Sequence, residues 1–327
     1  MAVPSNTVLA STRTNAREDL QDVIYDISPT DTPVLSMTPR STAKARYHEW
    51  NVDTLAAAAA NAAIEGNDAT AGASAATSRP GQRMQILQKT VQVSGTTEAI
   101  DKAGYRSELA YQMQKRSKEI KRDLEFAITR NTGTTVGSTT TAATMAGIES
   151  YLTTNIVYAA AQGNATTAGY SSGAVSAPVD PTATGAFTES LIKSLSKSCW
   201  DNGGEPDFLV VDSFNKQAVS GFAGIATLYR DTDVKSTARA SILGGADIYI
   251  SDFSGQSGIK VVANRFSRGQ TALMLDFDYL SLAYLRPFNQ KQLAKTGDSE
   301  KRQILVECGI VVNNEAAHGK IVGLTTA

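Results

Sequence analysis

Histidine, cysteine and tryptophan are nearly missing from this chain of 327 residues, which has two of each. His48 lies in the run Tyr47-His48-Glu49-Trp50 and His318 stands beside Gly319. Neither belongs to a Gly-x-Ser-x-Gly elbow or a His-Glu-x-x-His pair, because neither motif occurs. Both therefore read as packing or surface residues, and no general base of the usual kind is expected. Cys199 and Cys308 are too few and too distant for a disulfide framework or a zinc set. With no basic neighbour beside either thiol, both read as inert buried cysteines in a reducing compartment. No apolar stretch approaches the about 18 residues of a membrane span, and no charged segment followed by an apolar core opens the chain. Neither a membrane partner nor a secretory route is expected. Charge is scarce as well: 19% of residues, with 31 Lys and Arg against 32 Asp and Glu. That balance excludes a strongly basic nucleic-acid binder and an acid-coated surface.

What the chain does have is unevenly placed. The hydrophobic fraction, 42%, is enough for a sizeable core, and the length fits one large domain or two modest ones. Residues 51–80 hold 12 alanines, five of them consecutive from Ala56 to Ala60, and only four charges, Asp53, Glu65, Asp68 and Arg79. Residues 131–190 hold 14 threonines and 12 alanines, with no Lys or Arg. Such small side chains bury too little apolar area to offset their own ordering entropy. Ordering residues 47–93 costs on the order of 45–90 kcal/mol, which about 2,000–4,000 Å² of apolar burial offsets. That is the area of an obligate interface, so neighbouring copies are expected to hold these residues.

The periodicities divide the chain further. Asn15 to Ile27 reads as a helix, with Asn15 and Glu18 as a capping box and Leu20, Val23, Ile24 and Ile27 as its apolar stripe. Pro29, Pro33 and Pro39 break continuity, so residues 28–33 read as an extended strap. Tyr47–Val52 and Arg83–Val93 read as the two strands of a small-tipped arm, the second alternating Ile86, Gln88, Thr90 and Gln92 against Leu87, Lys89, Val91 and Val93, and both marginal without a partner. The strongest helical signal is Tyr105–Arg130, with Leu109, Met113, Ile120, Leu124 and Ile128 at spacings of four and seven and Gly104 as a break. Thr188–Trp200 is a second helix, capped by Thr188 and stopped by Asn202-Gly203-Gly204. Phe208–Val211 reads as a buried strand and Ser213–Ser220 as a short helix. Strand candidates follow at 246–250, 259–263, 272–277, 279–285, 304–312 and 320–324. Helices early and strands late give an α+β class.

Two clusters bear on chemistry. Asp276 and Asp278 share one face if their segment is a strand, opposite Leu273, Leu275, Phe277 and Tyr279. They read either as solvated acids or as a metal pair, and hard cations need more oxygen ligands than these two supply. Lys115, Arg116, Lys118, Lys121 and Arg122 form the one dense basic run. It reads as a polyanion contact or as a solvated helix face offset by Asp123 and Glu125 at spacings of three and four. The glycine-rich stretches at 244–245 and 255–258 lack a following Lys-Ser/Thr and read as turns. No cofactor is expected.

Three segments stand in a telling order: Ile27-Ser28-Pro29-Thr30-Asp31-Thr32-Pro33, then His48-Glu49-Trp50-Asn51-Val52-Asp53-Thr54-Leu55, then Glu119-Ile120-Lys121-Arg122-Asp123-Leu124-Glu125. Together with the alanine-rich arm and the strand-rich C-terminal half, they resemble the major capsid proteins of tailed bacteriophages, which share the Johnson fold. The resemblance implies a non-enzymatic, self-assembling subunit of an icosahedral shell around double-stranded DNA, without sequence-specific DNA binding. It implies an N-terminal arm at 1–40, an extended loop at 41–96, a spine helix of the peripheral domain at 97–130 and an axial domain at about 131–270. Residues 271–327 would return to the peripheral domain. Hexamers and pentamers of the chain itself are the expected partners; portal, scaffold or decoration proteins are others the family admits. Assembly would take place in the cytoplasm of a bacterial host. The implied contacts between subunits fall on Arg13, Arg17, Asp31, Trp50, Glu65, Asp68, Arg79 and Arg83, with the basic run on the inner surface or spine face. The rival readings are a trimeric tail or adhesion protein and a metal-dependent enzyme using Asp276 and Asp278.

Overall fold

A computed structural model describes residues 28–66, 68, 72, 76–102, 104–167, 169–222, 248–250, 252 and 258–326. The helix expected over Asn15–Ile27, with Arg13 and Arg17, lies outside the described residues.

The strap is not uniformly extended. Pro33 opens a one-turn helix, α1, Pro33–Met37, because the N–H that proline lacks is one the first helical turn leaves free. After Pro39 the chain enters β1, Arg40–Thr42. The arm differs from expectation as well. Its strands β2, Tyr47–Glu49, and β3, Gly81–Arg83, pair antiparallel over three residues, with one further bridge between Val52 and Ser78. At buried Met84, whose N–H donates to the Arg46 carbonyl (2.8 Å), the returning chain leaves this ribbon. It becomes β4, Gln85–Ser94, in a different sheet. The alternation read from the sequence is kept: Val91 and Val93 are buried while Gln88, Thr90 and Gln92 face out.

A short helix, α2, Gly95–Ala99, precedes the break at Gly104 (φ +89°). The long helix α3 runs over Glu108–Ile128, 21 residues and so about 32 Å. It begins later than Tyr105 because Ser107 caps it, its hydroxyl accepting from Ala110 N (3.3 Å), and Glu98 accepts from Glu108 N (3.0 Å) and Leu109 N (3.3 Å). Then come α4, Ile148–Tyr151, and the strands β5, Ile156–Tyr158, β6, Tyr170–Ser171, and β7, Ala174–Val175. Helix α5 covers Glu189–Asp201 and stops at Gly203 (φ +83°). Thr188 precedes it without a side-chain cap bond. Strand β8, Phe208–Val211, and helix α6, Ser213–Ser220, fall where the sequence puts them. The late strands are β9, Ile248–Tyr249, β10, Ile259–Ala263, β11, Thr271–Leu275, β12, Leu280–Gln292, β13, Ser299–Val312, and β14, Gly319–Val322.

Two sheets organise these elements. The first has the order β1-β12-β13-β4, and the second β5-β14-β11-β8-β10-β9. Strands β12 and β13 form a long antiparallel hairpin, and β4 lies along β13 from Gln85 opposite Cys308 to Ser94 opposite Ser299. The stripe Ile120, Leu124 and Ile128 of α3 packs into one core with Val91, Val93, Leu282, Ile304, Val306 and Ile310. A second core places Ile192, Leu195 and Cys199 of α5 against Leu209, Val211, Ile259, Val261, Met274 and Ile321. Residues 271–327 thus divide between the sheets: β12 and β13 join the spine-helix sheet, while β11 and β14 sit in the middle of the other. The mixed helix-and-sheet class agrees with the α+β expectation.

Candidate assembly surface

Beyond Trp50 the arm leaves the body. Residues 53–66 are all exposed, and Leu55 (99%) and Ile64 (81%) present bare aliphatic side chains. Glu65 and Asp68 are exposed on the same segment, and Asp31 is exposed on the strap. Two isolated large aliphatics on a polar, small-residue ribbon are anchors without a pocket among the described residues.

The root of the arm is rigid. Gln82 is fully buried; its amide donates to the Ala146 (2.9 Å) and Ile310 (3.1 Å) carbonyls and accepts from Ala146 N (3.0 Å). A Cβ on Gly81 would stand 2.6 Å from the Tyr47 hydroxyl oxygen, so any other residue here would displace the Tyr47 ring from its seat. The Tyr151 hydroxyl donates to the Gly81 carbonyl (2.9 Å). Trp50 is half-buried against His48 and Tyr151, with ring centroids 6.1 and 6.2 Å away. Arg79 pairs with Glu49 (3.1 Å), and the Arg83 guanidinium lies over the Tyr47 ring at 5.0 Å. Of the residues expected between subunits, Trp50, Arg79 and Arg83 therefore gather at the root, while Glu65 and Asp68 travel with the arm.

The strap is tied to α3 by a residue the sequence reading assigned differently. Glu125 was expected to offset the basic run from the solvated face; instead it is fully buried. Its carboxylate accepts from Val34 N (3.0 Å), Leu35 N (2.7 Å) and the Asn264 amide (2.6 Å). Burial pushes this carboxyl up, and the three donors pull against that shift. It closes the first turn of α1, where N–H groups otherwise lack partners. The available signal was an acid directly after Leu124 and three before Ile128, inside the apolar stripe.

The basic run divides. Arg116 pairs with Glu119 (2.6 Å), and Arg122 lies 5.6 Å over the Phe266 ring. Asp123 pairs with Lys89 (2.8 Å), which comes from β4 rather than from the run. Lys115, Lys118 and Lys121 are exposed and form no ion pair among the described residues. The near-zero net charge hides a division of the same kind. Residues 28–130 and 280–312, the α3 side, carry 19 Lys and Arg against 14 Asp and Glu; residues 131–279 and 313–327 carry 10 against 14.

The Asp276–Asp278 reading is corrected by geometry. Strand β11 ends at Leu275, and Asp276 caps a 3-10 turn, Phe277–Tyr279, by accepting from Asp278 N (2.9 Å). Asp278 is exposed, and the two do not share a strand face. His318, beneath them, is buried; its Nδ1 accepts from Asp276 N (3.1 Å), and burial pushes its pKa down to about 4. Sequence reasoning also missed a buried charge cluster beside α4. Glu149 accepts from Arg268 (2.8 Å) and from Thr271 (2.9 Å), and Arg268 also binds Asp180. Lys320 donates to the Glu149 carbonyl (2.8 Å), and burial pushes its pKa down to about 8. These groups fasten β14 and the 265–271 segment to α4. Among the described residues, no three His, Cys, Asp or Glu side chains gather as metal ligands, and no helix is long and apolar enough to cross a membrane.

Comparison with known proteins bears on these features together. A major capsid protein of Escherichia phage Phieco32 is 28% identical over 320 residues, covering 90% of each chain. Among solved structures, a subunit of the cyanophage A-1(L) capsid superposes with a TM-score of 0.68 at 12% identity, covering 98% of this chain and all of its own. The capsid of a native GTA particle gives 0.62 at 11%, covering 98% and 100%. These structures share the fold, the HK97-like or Johnson fold of phage major capsid proteins. The family model described as SU10 major capsid protein matches residues 4–325, nearly the whole chain. The chain belongs to the SU10 major capsid protein family and is a structural subunit of a phage capsid.

Proposed function

We propose that this chain is the wall subunit of an icosahedral head that encloses double-stranded DNA, built from hexamers and pentamers of itself in the cytoplasm of a bacterial host. The observation that carries this reading is the arm, a ribbon with a locked root and exposed Leu55 and Ile64 that nothing among the described residues covers. Interlocking arms turn many weak contacts into one stable shell, because each contact raises the effective concentration of the next. In this reading residues 1–40 clasp neighbours and 41–96 form the loop that lies over an adjacent subunit. Residues of the 131–270 region, completed by β11 and β14, point at the hexamer and pentamer centres. The role is mechanical and not catalytic, and portal, scaffold or decoration proteins would attach to the finished wall.

Electron microscopy of the purified chain tests the assembly. Closed shells or hexameric capsomers are expected; a stable, monodisperse trimer would sink the reading and favour a tail or adhesion protein. Shells recovered from infected cells should protect double-stranded DNA from nuclease.

A further inference from the structure

We propose that the outward face of α3 is a docking surface for the phosphate backbone of duplex DNA, held by Lys115, Lys118 and Lys121. The inference rests on the reading of the chain as a wall around DNA and adds which face of the subunit looks inward. The three ammonium groups follow one another at spacings of three along a helix whose opposite side is locked into the core. At a rise of 1.5 Å per residue they span about 9 Å. Like charges three apart repel by a few tenths of a kcal/mol, and Arg116 and Arg122 of the same run have found partners while these lysines have not. A groove of about 410 Å³ continues the surface between α1, α3 and β12. It adds Arg40 and the polar side chains of Ser36, Ser117, Asn289 and Gln290, and no carboxylate lines it.

Two polyanions compete for such a stripe, DNA and the acidic arm of another copy, and their spacing decides between them. On the arm, Glu65 and Asp68 are three positions apart, up to about 10 Å of extended chain, and the next acid, Asp53, stands twelve positions before Glu65. An extended arm therefore brings two carboxylates to three ammonium groups and leaves one lysine, and Arg40 in the adjoining groove, without a counter-charge. Phosphates along one DNA strand recur at about 3.4 Å of helix axis, so two or three of them match the three lysines. Each subunit then binds weakly, and the many copies of a shell hold the duplex without sequence preference.

The test is fluorescence-anisotropy titration of the full-length chain with a short labelled duplex across a salt series. It compares the native sequence with the triple variant Lys115→Gln, Lys118→Gln, Lys121→Gln. The logarithmic salt slope should become shallower by about 0.9 for each lysine engaged, while shells form normally and the Lys-to-Arg triple variant keeps the native slope. An unchanged slope and affinity in the Gln variant would overturn the proposal. So would loss of shells with DNA binding intact, which would assign the stripe to a contact between copies. Failure of the native chain to form shells would strike the wall-subunit reading instead; the slope reports on the lysines separately.

Discussion

Two buried ionisable side chains, Glu125 and His318, set the residue-scale expectations. Glu125 holds two N–H groups of α1 that have no other partner. In Glu125→Ala both donors stay buried and unsatisfied, at about 1–3 kcal/mol each. The expected loss is about 2–5 kcal/mol in chemical denaturation, with raised deuterium uptake at residues 33–37. A variant as stable as the native chain would show that α1 does not depend on this carboxylate. His318 gives a pH dependence. Its folded pKa of about 4 lies below the ordinary 6.5, so the unfolded chain binds the proton more readily. The stability held by the neutral ring is complete above pH 6.5 and falls as pH drops toward 4. The loss is on the order of 3 kcal/mol at 1.36 kcal/mol per pH unit. Unfolding midpoints measured across that window should fall steeply for the native chain and less steeply for His318→Gln.

At the scale of elements, local pattern and distant pairing separate cleanly. Strand β8 and helix α6 lie where the sequence puts them, because a run of four apolar residues is a local signal and the Asp212 side chain caps α6 by accepting from Asn215 N (3.0 Å). The apolar stripe of α3 was legible for the same reason, and so was the alternation in β4. What β4 pairs with was not legible. Its partner β13 lies some 210 residues further on, and nothing in Gln85–Ser94 distinguishes that strand from β2. Asp276 and Asp278 were misplaced because an Asp that caps a turn and an Asp on a strand face leave the same local pattern. The root of the arm is where these long-range contacts converge, and Gln82 is the residue that joins them. Gln82→Ala would leave the Ala146 N–H and the Ala146 and Ile310 carbonyls without that partner. A loss of about 2–4 kcal/mol is expected, together with faster exchange at Trp50 N and Val52 N, whose bonds to Pro80 and Ser78 hold the ribbon. Unchanged exchange there would mean that the ribbon holds itself without the buried amide.

For the whole molecule, the division of labour follows from what each part can bury. Three apolar clusters account for the body, and none includes any described residue between 53 and 80. Because β4 belongs to the body, the arm that needs outside help is shorter than the sequence implied. Ordering residues 50–80 costs on the order of 30–60 kcal/mol, which about 1,200–2,400 Å² of apolar burial offsets. That is still the area of a specific, stable interface, and only neighbouring copies supply it repeatedly in a closed shell. Deleting Ala56–Ala76 tests this directly. The cut joins Leu55 to Thr77 and leaves the Val52–Ser78 bridge closed by a short hairpin loop. The body should therefore keep its thermal midpoint, since no buried contact among the described residues is lost. Shell yield, read by sedimentation and electron microscopy, should collapse, because Leu55 no longer has its ribbon and Ile64 is gone. Normal heads from the deletion variant would show that the arm is not what joins the subunits.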